Sequence, residues 1–285
     1  EQAVVSKMSD LATKREQLLE SIARLGKCAI AFSAGVDSTV VAKAAQLALG
    51  DRAVAVTAVS PSLASGELDQ AKSLAAEIGI RHVLISTDEF DNPDYLRNAP
   101  DRCYHCKTEL YGQLDGIIGK LDVVAVLNGA NVDDATDYRP GIRAAAEHQV
   151  RSPLADCGFN KSDVRALAAH WHLPVWDKPA SPCLASRVAY GEEVTADRLR
   201  MIDQGEQFLR EEGFSIVRVR YHKGDLARIE LAPEEIGKLS DDTVRHGLIV
   251  RFQEIGFKFI TLDLQGFRSG SLNTVLPVET LSRRE

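Results

Sequence analysis

Residues 29–38, near the N-terminus, constrain this chain more than any other stretch. An apolar run of strand length, residues 28–32, breaks into a loop of small and polar residues and resumes as a helix-like pattern over residues 38–47. A strand, a tight loop and a helix in this order gather backbone N–H groups and the positive end of the helix dipole around one point, which favours an anion. The stretch therefore predicts a phosphate-binding loop, and the alternative is an ordinary turn between a strand and a helix.

The residues within this loop match the same chemistry. The hydroxyl groups of Ser33 and Ser38 can donate to phosphate oxygens, and the backbone at Gly35 and Val36 can close around them. Asp37 can hold a magnesium ion on the phosphates. No Gly-Lys-Ser/Thr triplet follows, so the loop is not of the Walker type.

Composition limits the class of protein. The chain has 285 residues, of which 45% are apolar, so it can bury a substantial core and is expected to form two domains. A net charge of −7 argues against a nucleic-acid partner. The sequence contains no apolar run long enough to cross a bilayer and no secretory leader, so we expect a cytoplasmic protein without a membrane partner.

Strand and helix patterns alternate over the first 180 residues, which indicates an α/β fold with a doubly wound parallel sheet. The expected strands are residues 28–32, 53–59, 81–87 and 122–127. The expected helices are residues 3–25, 66–79, 101–121 and 162–170. Residues 88–100 are polar and resemble a loop, and residues 174–187 contain three prolines and should be extended rather than helical.

Ligands of such sheets bind at the carboxyl ends of the strands. The backbone of Val59 and Ser60 is therefore placed to contact an adenine, although a plain strand end explains the residues equally well. Gly129 follows the fourth strand, where a missing side chain would let a nucleotide approach the backbone. Arg139 lies in the next turn and can face phosphate.

The pattern changes after residue 180, and we expect a separate small α+β domain over residues 181–285. A helix over residues 195–212 precedes a hairpin of strands 215–221 and 226–231, and a helix and a last strand follow at 242–255 and 258–264. Arg218 and Arg220 lie two residues apart on a strand and share one face, which indicates either a phosphate site or a solvated edge.

The five cysteines are an odd number in a large chain of this kind, so metal binding or catalysis is more probable than a disulfide framework. Cys103 and Cys106 form a Cys-x-x-Cys pair whose sulfur atoms share one helix face, and Cys183 is the natural third ligand. Three thiolates suit a 4Fe–4S cluster with one free iron, and zinc and a redox dithiol are the alternatives. Cys183, next to Arg187, could also be a reactive thiolate or a buried linker residue.

The loop at residues 33–38 resembles the PP-loop of the ATP pyrophosphatase superfamily, with Ala34 in place of its first glycine. If that position needs a positive φ, alanine is strained there. The whole chain resembles the LarE family of ATP-dependent sulfur transferases. The most specific motifs are residues 137–141, 181–191, 217–220, 227–231 and 263–270.

The resemblance implies a PP-loop domain over residues 1–180 and a C-terminal domain for substrate binding and oligomerisation. It implies that ATP and Mg²⁺ adenylate a carboxylate of pyridinium-3,5-biscarboxylic acid mononucleotide, a precursor of the nickel-pincer nucleotide cofactor of lactate racemase, and that sulfur then displaces AMP. Cys103 and Cys106 beside Cys183 resemble the branch whose 4Fe–4S cluster carries the sulfide, whereas a sacrificial Cys183 is the other solution. The same resemblance assigns Arg187, Arg218, Arg220 and Glu230 to a substrate or phosphate site, implies a homo-oligomer and requires a sulfide source.

Three other activities fit parts of the sequence. A cluster-dependent tRNA thiolase shares a PP-loop and three cysteines, but the acidic net charge argues against it. An amide-forming ligase of the NAD synthase type would leave the cysteines without a role. A non-catalytic nucleotide-binding module would release no pyrophosphate.

Overall fold

The computed structural model describes residues 2–136, 140–268 and 270–275. Its first sheet contains four parallel strands in the order β3-β2-β1-β4. The strands are β1 Cys28–Ala31, β2 Ala53–Val59, β3 Arg81–Ser86 and β4 Ala125–Leu127. The predicted doubly wound α/β sheet is therefore confirmed. The strand order reverses between β1 and β4, and this is the point at which such sheets bind ligands.

Helices cover both faces of this sheet. Those of the first 180 residues are α1 Gln2–Leu25, α2 Val36–Leu49, α3 Glu67–Ile78, α4 Pro93–Leu96, α5 Arg102–Leu121, α6 Gly141–Glu147, α7 Pro153–Asp156 and α8 Lys161–His170. One hydrophobic cluster joins α1, α2, α3 and α8 to the sheet, and a second joins α5 and α6 to its other face. Among the residues that the structure covers, no helix is both long and apolar enough to span a membrane.

Local signals explain where several of these helices begin and end. The helix α3 is flanked by Gly66 and Gly79, both in the left-handed region that glycine enters without a steric penalty. The helix α8 begins at a capping box, in which Asn160 and Asp163 each accept a hydrogen bond from the other's backbone N–H. Both ends of α3 and the start of α8 therefore follow from the local sequence.

The second sheet has three strands in the order β5-β6-β7, which are β5 Val217–His222, β6 Leu226–Leu231 and β7 Phe259–Leu262. The first two form the predicted antiparallel hairpin, and β7 pairs with β6 in parallel. The helices α9 Ala196–Glu211 and α10 Asp242–Ile255 pack with this sheet in a third hydrophobic cluster. This cluster also contains Tyr95 of α4, so its core includes a residue from the first half of the chain.

Several element boundaries differ from the sequence prediction, and four of the differences are as follows. The helix α2 begins at Val36 rather than Ser38, because the first turn is built from loop-like small residues. Residues 88–100 are not all loop, since Asn92 caps the four-residue helix α4 with Pro93 at its first position. The strand β4 begins only at Ala125, after the end of α5. Residues 174–187 are not extended throughout, because Leu184–Arg187 forms one 3-10 turn after the last proline.

Candidate active site

The loop between β1 and α2 lies at the carboxyl edge of the sheet and is held by its own hydroxyl groups. The hydroxyl oxygens of Ser33 and Ser38 are 3.2 Å apart, and Ser38 donates to the Gly35 carbonyl at 3.1 Å. Gly35 occupies the N-cap position of α2, and because glycine has no side chain it cannot supply a side-chain cap. An uncapped helix N-terminus with two hydroxyl groups beside it is suited to binding phosphate.

Ala34 adopts a left-handed conformation, with φ at +57°, and is fully buried. The glycine of the usual loop would adopt this conformation without strain, whereas an alanine side chain costs about 1 kcal/mol or more there. The sequence analysis expected strain at Ala34 if this position needs a positive φ, and the structure shows that positive φ. The loop keeps its path despite the substitution because the surrounding core holds the residue in place.

This conformation predicts how the loop tolerates substitution. We expect Ala34→Val to lower the free energy of unfolding by about 2–3 kcal/mol, since a β-branched side chain in a buried left-handed position is both strained and overpacked. Ala34→Gly should stay within about 1 kcal/mol of the original protein, because relief of strain offsets the loss of a buried methyl group. Urea unfolding of both variants tests this expectation, and equal losses in the two would contradict it.

Asp37, in the first turn of α2, has two partners from distant parts of the chain. Lys161 at the start of α8 donates to one carboxylate oxygen at 2.5 Å, and the amide of Asn131 donates to the other at 3.1 Å. Asn131 follows β4, so the contact spans the point where the strand order reverses. A carboxylate, an ammonium group and an amide thus meet at the open edge beside the phosphate-binding loop.

Gly129 is required by packing at this edge. A side-chain Cβ on Gly129 would lie 2.7 Å from the backbone nitrogen of Ser38 and 2.9 Å from the carbonyl carbon of Asp37. The backbone after β4 therefore rests directly on the first turn of α2, and the approach of a nucleotide to Gly129 stays a prediction. Arg139 lies outside the described residues.

Val59 ends β2, and Ser60 lies at the same edge of the sheet. The Ser60 hydroxyl donates to Glu89 at 2.6 Å, so only its backbone is available to a ligand. Ser62 accepts a hydrogen bond on its carbonyl from the backbone N–H of Leu184 at 2.9 Å. This bond attaches the segment that carries Cys183 to the edge of the nucleotide-binding sheet.

The three predicted ligand cysteines lie within electrostatic reach of one another and of two buried cations. Burial and the neighbouring Cys183 raise the pKa of Cys106 to about 12, and Cys103 adds to the effect. Burial lowers the pKa of the Arg102 guanidinium, but Cys103 and Cys183 outweigh it and raise the value. Desolvation likewise lowers the pKa of Lys107, and a nearby tyrosine with the three cysteines raises it. Each cation therefore lies within electrostatic reach of two or more of the sulfur atoms.

The thiols do not converge on one point. Across the described part of the chain, no three His, Cys, Asp or Glu side chains form a ready-made metal-binding group. Cys103 and Cys183 are exposed, whereas Cys106 is partly buried. Cys28 is buried in β1 and Cys157 contacts Ser21, so both lie apart from this cysteine site.

Three arginines bind the Cys183 segment from the C-terminal half of the molecule. Arg187 donates to the carbonyl oxygen of Cys183 at 2.9 Å, Arg218 to that of Ala180 at 3.0 Å and Arg220 to that of Ser186 at 3.3 Å. Burial and the adjacent Arg187 lower the pKa of Arg218 to about 10. Positive charges crowded in this way are suited to an anionic ligand.

Two buried carboxylates hold these arginines in place. Glu206 of α9 accepts from Arg187 at 2.9 Å and from Arg210 at 2.7 Å. Glu230 accepts from Arg220 at 2.8 Å. Of the side chains that the structure describes, Arg220 and Arg228 each keep a buried Nε–H without a hydrogen-bond partner. Arg220 is therefore buried and Arg218 half-buried, so the pair does not form the fully solvated edge that was the alternative.

Several residues of this region were not found from the sequence, among them Glu206, Lys161 and Asn131. Glu206 had a signal, because Leu199, Ile202 and Leu209 place it on the apolar face of α9. Lys161 and Asn131 had none, because their contacts with Asp37 cross 124 and 94 residues of chain.

Comparison with known proteins identifies the class and the family of the chain. The parallel sheet with its loop between β1 and α2 at the switch point is the architecture of an α/β protein, and its relatives define the class as PP-loop proteins that use ATP. The chain is accordingly similar to a GMP synthase of the glutamine-hydrolyzing type from Methanocella arvoryzae, with 26% identity over 206 residues covering 66% of this chain and 65% of that polypeptide. No protein-family model matches the chain.

Two stronger similarities extend over nearly the whole length. An uncharacterized protein of Synechocystis is 48% identical over 266 residues, which cover 93% of this chain and 99% of the relative. Pyridinium-3,5-bisthiocarboxylic acid mononucleotide synthase of Lactiplantibacillus plantarum is 41% identical over 273 residues, which cover 94% and 97% respectively. The chain therefore belongs to the LarE family of ATP-dependent sulfurtransferases, as the sequence motifs predicted.

Proposed function

We propose that this chain uses ATP to adenylate a carboxylate of pyridinium-3,5-biscarboxylic acid mononucleotide and converts it to a thiocarboxylate for the nickel-pincer nucleotide cofactor. The synthase of L. plantarum, whose name gives the bisthiocarboxylic acid mononucleotide as its product, supports this substrate. The family also uses ATP and transfers sulfur, so the proposal adds the identity of the acceptor and the source of the sulfur.

The observation that carries the proposal is the position of the Cys183 segment. Its backbone is bound to Ser62 at the edge of the PP-loop sheet, and Arg102 donates to the Ala185 carbonyl at 2.7 Å from the helix that carries Cys103 and Cys106. Arg187, Arg218 and Arg220 bind the same segment. One segment thus joins an ATP site, a sulfur site and an anion site, which are the three parts that the reaction requires.

In the first half-reaction, a substrate carboxylate oxygen attacks the α-phosphorus of ATP, and pyrophosphate leaves. We assign the phosphates to Ser33, Ser38 and the backbone of Gly35 and Val36 at the N-terminus of α2. Magnesium fits beside Asp37, because an ATP-bound Mg²⁺ needs only one or two protein carboxylates and takes its other ligands from phosphate and water. The adenine is assigned to the strand end at Val59 and Ser60, and Arg139 remains a predicted phosphate ligand.

Lys161 should change partner during this step. The Lys161 ammonium, which pairs with Asp37 in the structure, would neutralise charge on the departing pyrophosphate, and Asp37 would then be available to hold Mg²⁺. We expect Lys161→Met to lower kcat for pyrophosphate release by about 10- to 100-fold, with Lys161→Arg retaining more activity. Steady-state kinetics with varied ATP tests this, and Lys27→Met is the control, since Lys27 pairs with Asp122 at the surface. Unchanged kcat in Lys161→Met would contradict the assignment.

The substrate's phosphate is assigned to the arginine site. Among the described residues, the buried Nε–H groups of Arg220 and Arg228 have no acceptor, and Arg218, whose pKa of about 10 keeps it protonated at neutral pH, adds a positive charge. A phosphate monoester supplies several acceptor oxygens for such donors. Glu230 between Arg220 and Arg228 sets the orientation of both guanidinium groups.

In the second half-reaction, sulfur attacks the carbonyl carbon of the acyl adenylate and AMP leaves with the former carboxylate oxygen. Cys103, Cys106 and Cys183 fit a 4Fe–4S cluster in number and chemistry, since three thiolates leave one iron open and the cations Arg102 and Lys107 offset their charge. Such a cluster supplies an iron site that holds a sulfide. The protein's own part is to keep the three thiols beside the Ser62 edge.

Two measurements test the proposal. Substrate labelled with ¹⁸O in its carboxylates should transfer one label to AMP, which ATP hydrolysis by water cannot do. Anaerobically purified protein should contain about four irons with acid-labile sulfide and a broad visible band. Both metal and band should be lost in Cys103→Ala, Cys106→Ala and Cys183→Ala and kept in the control Cys157→Ala.

Each outcome decides one point. Unlabelled AMP would overturn the adenylation of this substrate. Absence of iron would exclude the cluster and leave Cys183 as a sacrificial donor, in which case the intact mass after reaction must fall by one hydrogen sulfide. The homo-oligomer remains a prediction, which the molar mass in solution checks.

A further inference from the structure

Arg102 is a buried arginine that touches none of the reacting groups in the proposed reaction. It is the first residue of α5, directly before Cys103, and only 5% of its surface is exposed. Its Nη1 donates to the carbonyl oxygen of Ala185 at 2.7 Å and to Oδ1 of Asn98 at 2.5 Å, and its Nη2 lies 3.8 Å from the sulfur of Cys103. Burying a guanidinium group costs free energy unless the group is paired, so these hydrogen bonds must offset the desolvation of Arg102.

Asn98 extends the contact made by Arg102. It is completely buried, adopts a left-handed backbone with φ at +54°, and its amide donates to the carbonyl oxygens of Val188 and Ala189 at 3.2 and 2.8 Å. Together the two side chains bind three carbonyl groups of the segment that follows Cys183. The contact crosses more than 80 residues of chain, because Arg102 and Ala185 are 83 positions apart.

We propose that Arg102, supported by Asn98, is the positioning residue of the sulfur site: it fixes the segment that carries Cys183 against the helix that carries Cys103 and Cys106. The proposal rests on the proposed function only in taking the three thiols to be the sulfur site. The geometry favours this role because one guanidinium contacts both sides, with Cys103 on its own helix and Ala185 two residues after Cys183. A lysine cannot reproduce it, since a single ammonium lacks the planar fork of donors.

The test uses the metal-free full-length chain and needs neither ATP, substrate nor iron. Dibromobimane joins two neighbouring thiols into one fluorescent product, and peptide mapping identifies which cysteines are joined. We expect a bridge from Cys183 to Cys103 or Cys106 in the original protein. In Arg102→Met, bridging should be at least about tenfold slower, because loss of charged hydrogen bonds releases the segment. Alkylation of each single thiol by iodoacetamide should be no slower.

Variants and controls keep the test decisive. Arg97→Met is the matched control, since Arg97 is 54% exposed and pairs with Asp94 and Asp101 at the surface. If Arg102→Met fails to fold, Arg102→Lys and Asn98→Ser carry the test, and both should slow bridging less severely. Unchanged bridging in a variant with the original Tm would overturn the proposal, and so would the absence of any bridge in the original protein. Neither result depends on whether ¹⁸O reaches AMP, so failure of the proposed function is recognised separately.

Discussion

Replacing Cys183 with alanine is expected to abolish thiocarboxylate formation, by at least about a thousandfold, because both routes for sulfur require this thiol. Pyrophosphate release should persist, since Cys183 is not among the groups assigned to ATP. The two half-reactions are therefore separated by one substitution. Mass spectrometry of the product and a coupled assay for pyrophosphate measure them in the same sample.

The control for this experiment is Cys157→Ala, which removes a thiol remote from the sulfur site. It should retain both half-reactions. Product formation by Cys183→Ala at the original rate would refute any sulfur-transfer role for the residue. Loss of pyrophosphate release together with product would instead show that Cys183 is needed before adenylation.

Replacing Glu206 with alanine should produce a large loss of stability. Glu206 is fully buried and accepts hydrogen bonds from Arg187, Arg210 and the backbone of Val219. Removing one partner of a buried ion pair leaves the other charge without compensation, and typically costs about 3–5 kcal/mol. Urea unfolding should show this loss, whereas Glu211→Ala, at an exposed position on the same helix, should change stability by less than about 0.5 kcal/mol.

The same carboxylate predicts a pH dependence. Burial alone would raise the pKa of Glu206, but the adjacent Arg187 guanidinium holds it below the ordinary value of 4.5. The stabilisation is therefore complete above pH 4.5 and is lost as the pH falls through the folded-state value. Glu206→Gln should remove this part of the acid sensitivity, and unfolding curves between pH 3 and 7 would contradict the assignment if the two proteins lost stability in parallel.

Much of the fold could be predicted from the sequence, because the signals for its strands and helices are local. The strands Ala53–Val59 and Leu226–Leu231 and the helix Asp242–Ile255 have the predicted bounds. The last of these has an Asp241 cap at its start and Gly256 at its end. The first turn of α2 was missed because its small and polar residues resemble those of a loop, although in the fold it packs closely against Gly129.

Part of the candidate site could also be predicted from the sequence. Cysteine spacing and the PP-loop motif identified the sulfur and ATP regions, since both depend on short stretches of sequence. Contacts between side chains that are distant in sequence could not be predicted. Nothing near Asp37 in the sequence selects Lys161, and nothing near Cys183 selects Arg102, because each contact is created by the order of strands and helices.

The position of Tyr95 in the C-terminal core affects how the protein can be dissected. Tyr95 is 1% exposed, and it is buried among side chains that come mainly from residues 184–257. We propose that the boundary between the two domains lies at residue 180. A fragment that ends there would nevertheless expose the Tyr95 ring and the neighbouring side chains of Phe90 and Leu96 to water. The fragment would therefore aggregate rather than serve as an isolated ATPase, and the intact chain should denature in a single cooperative transition.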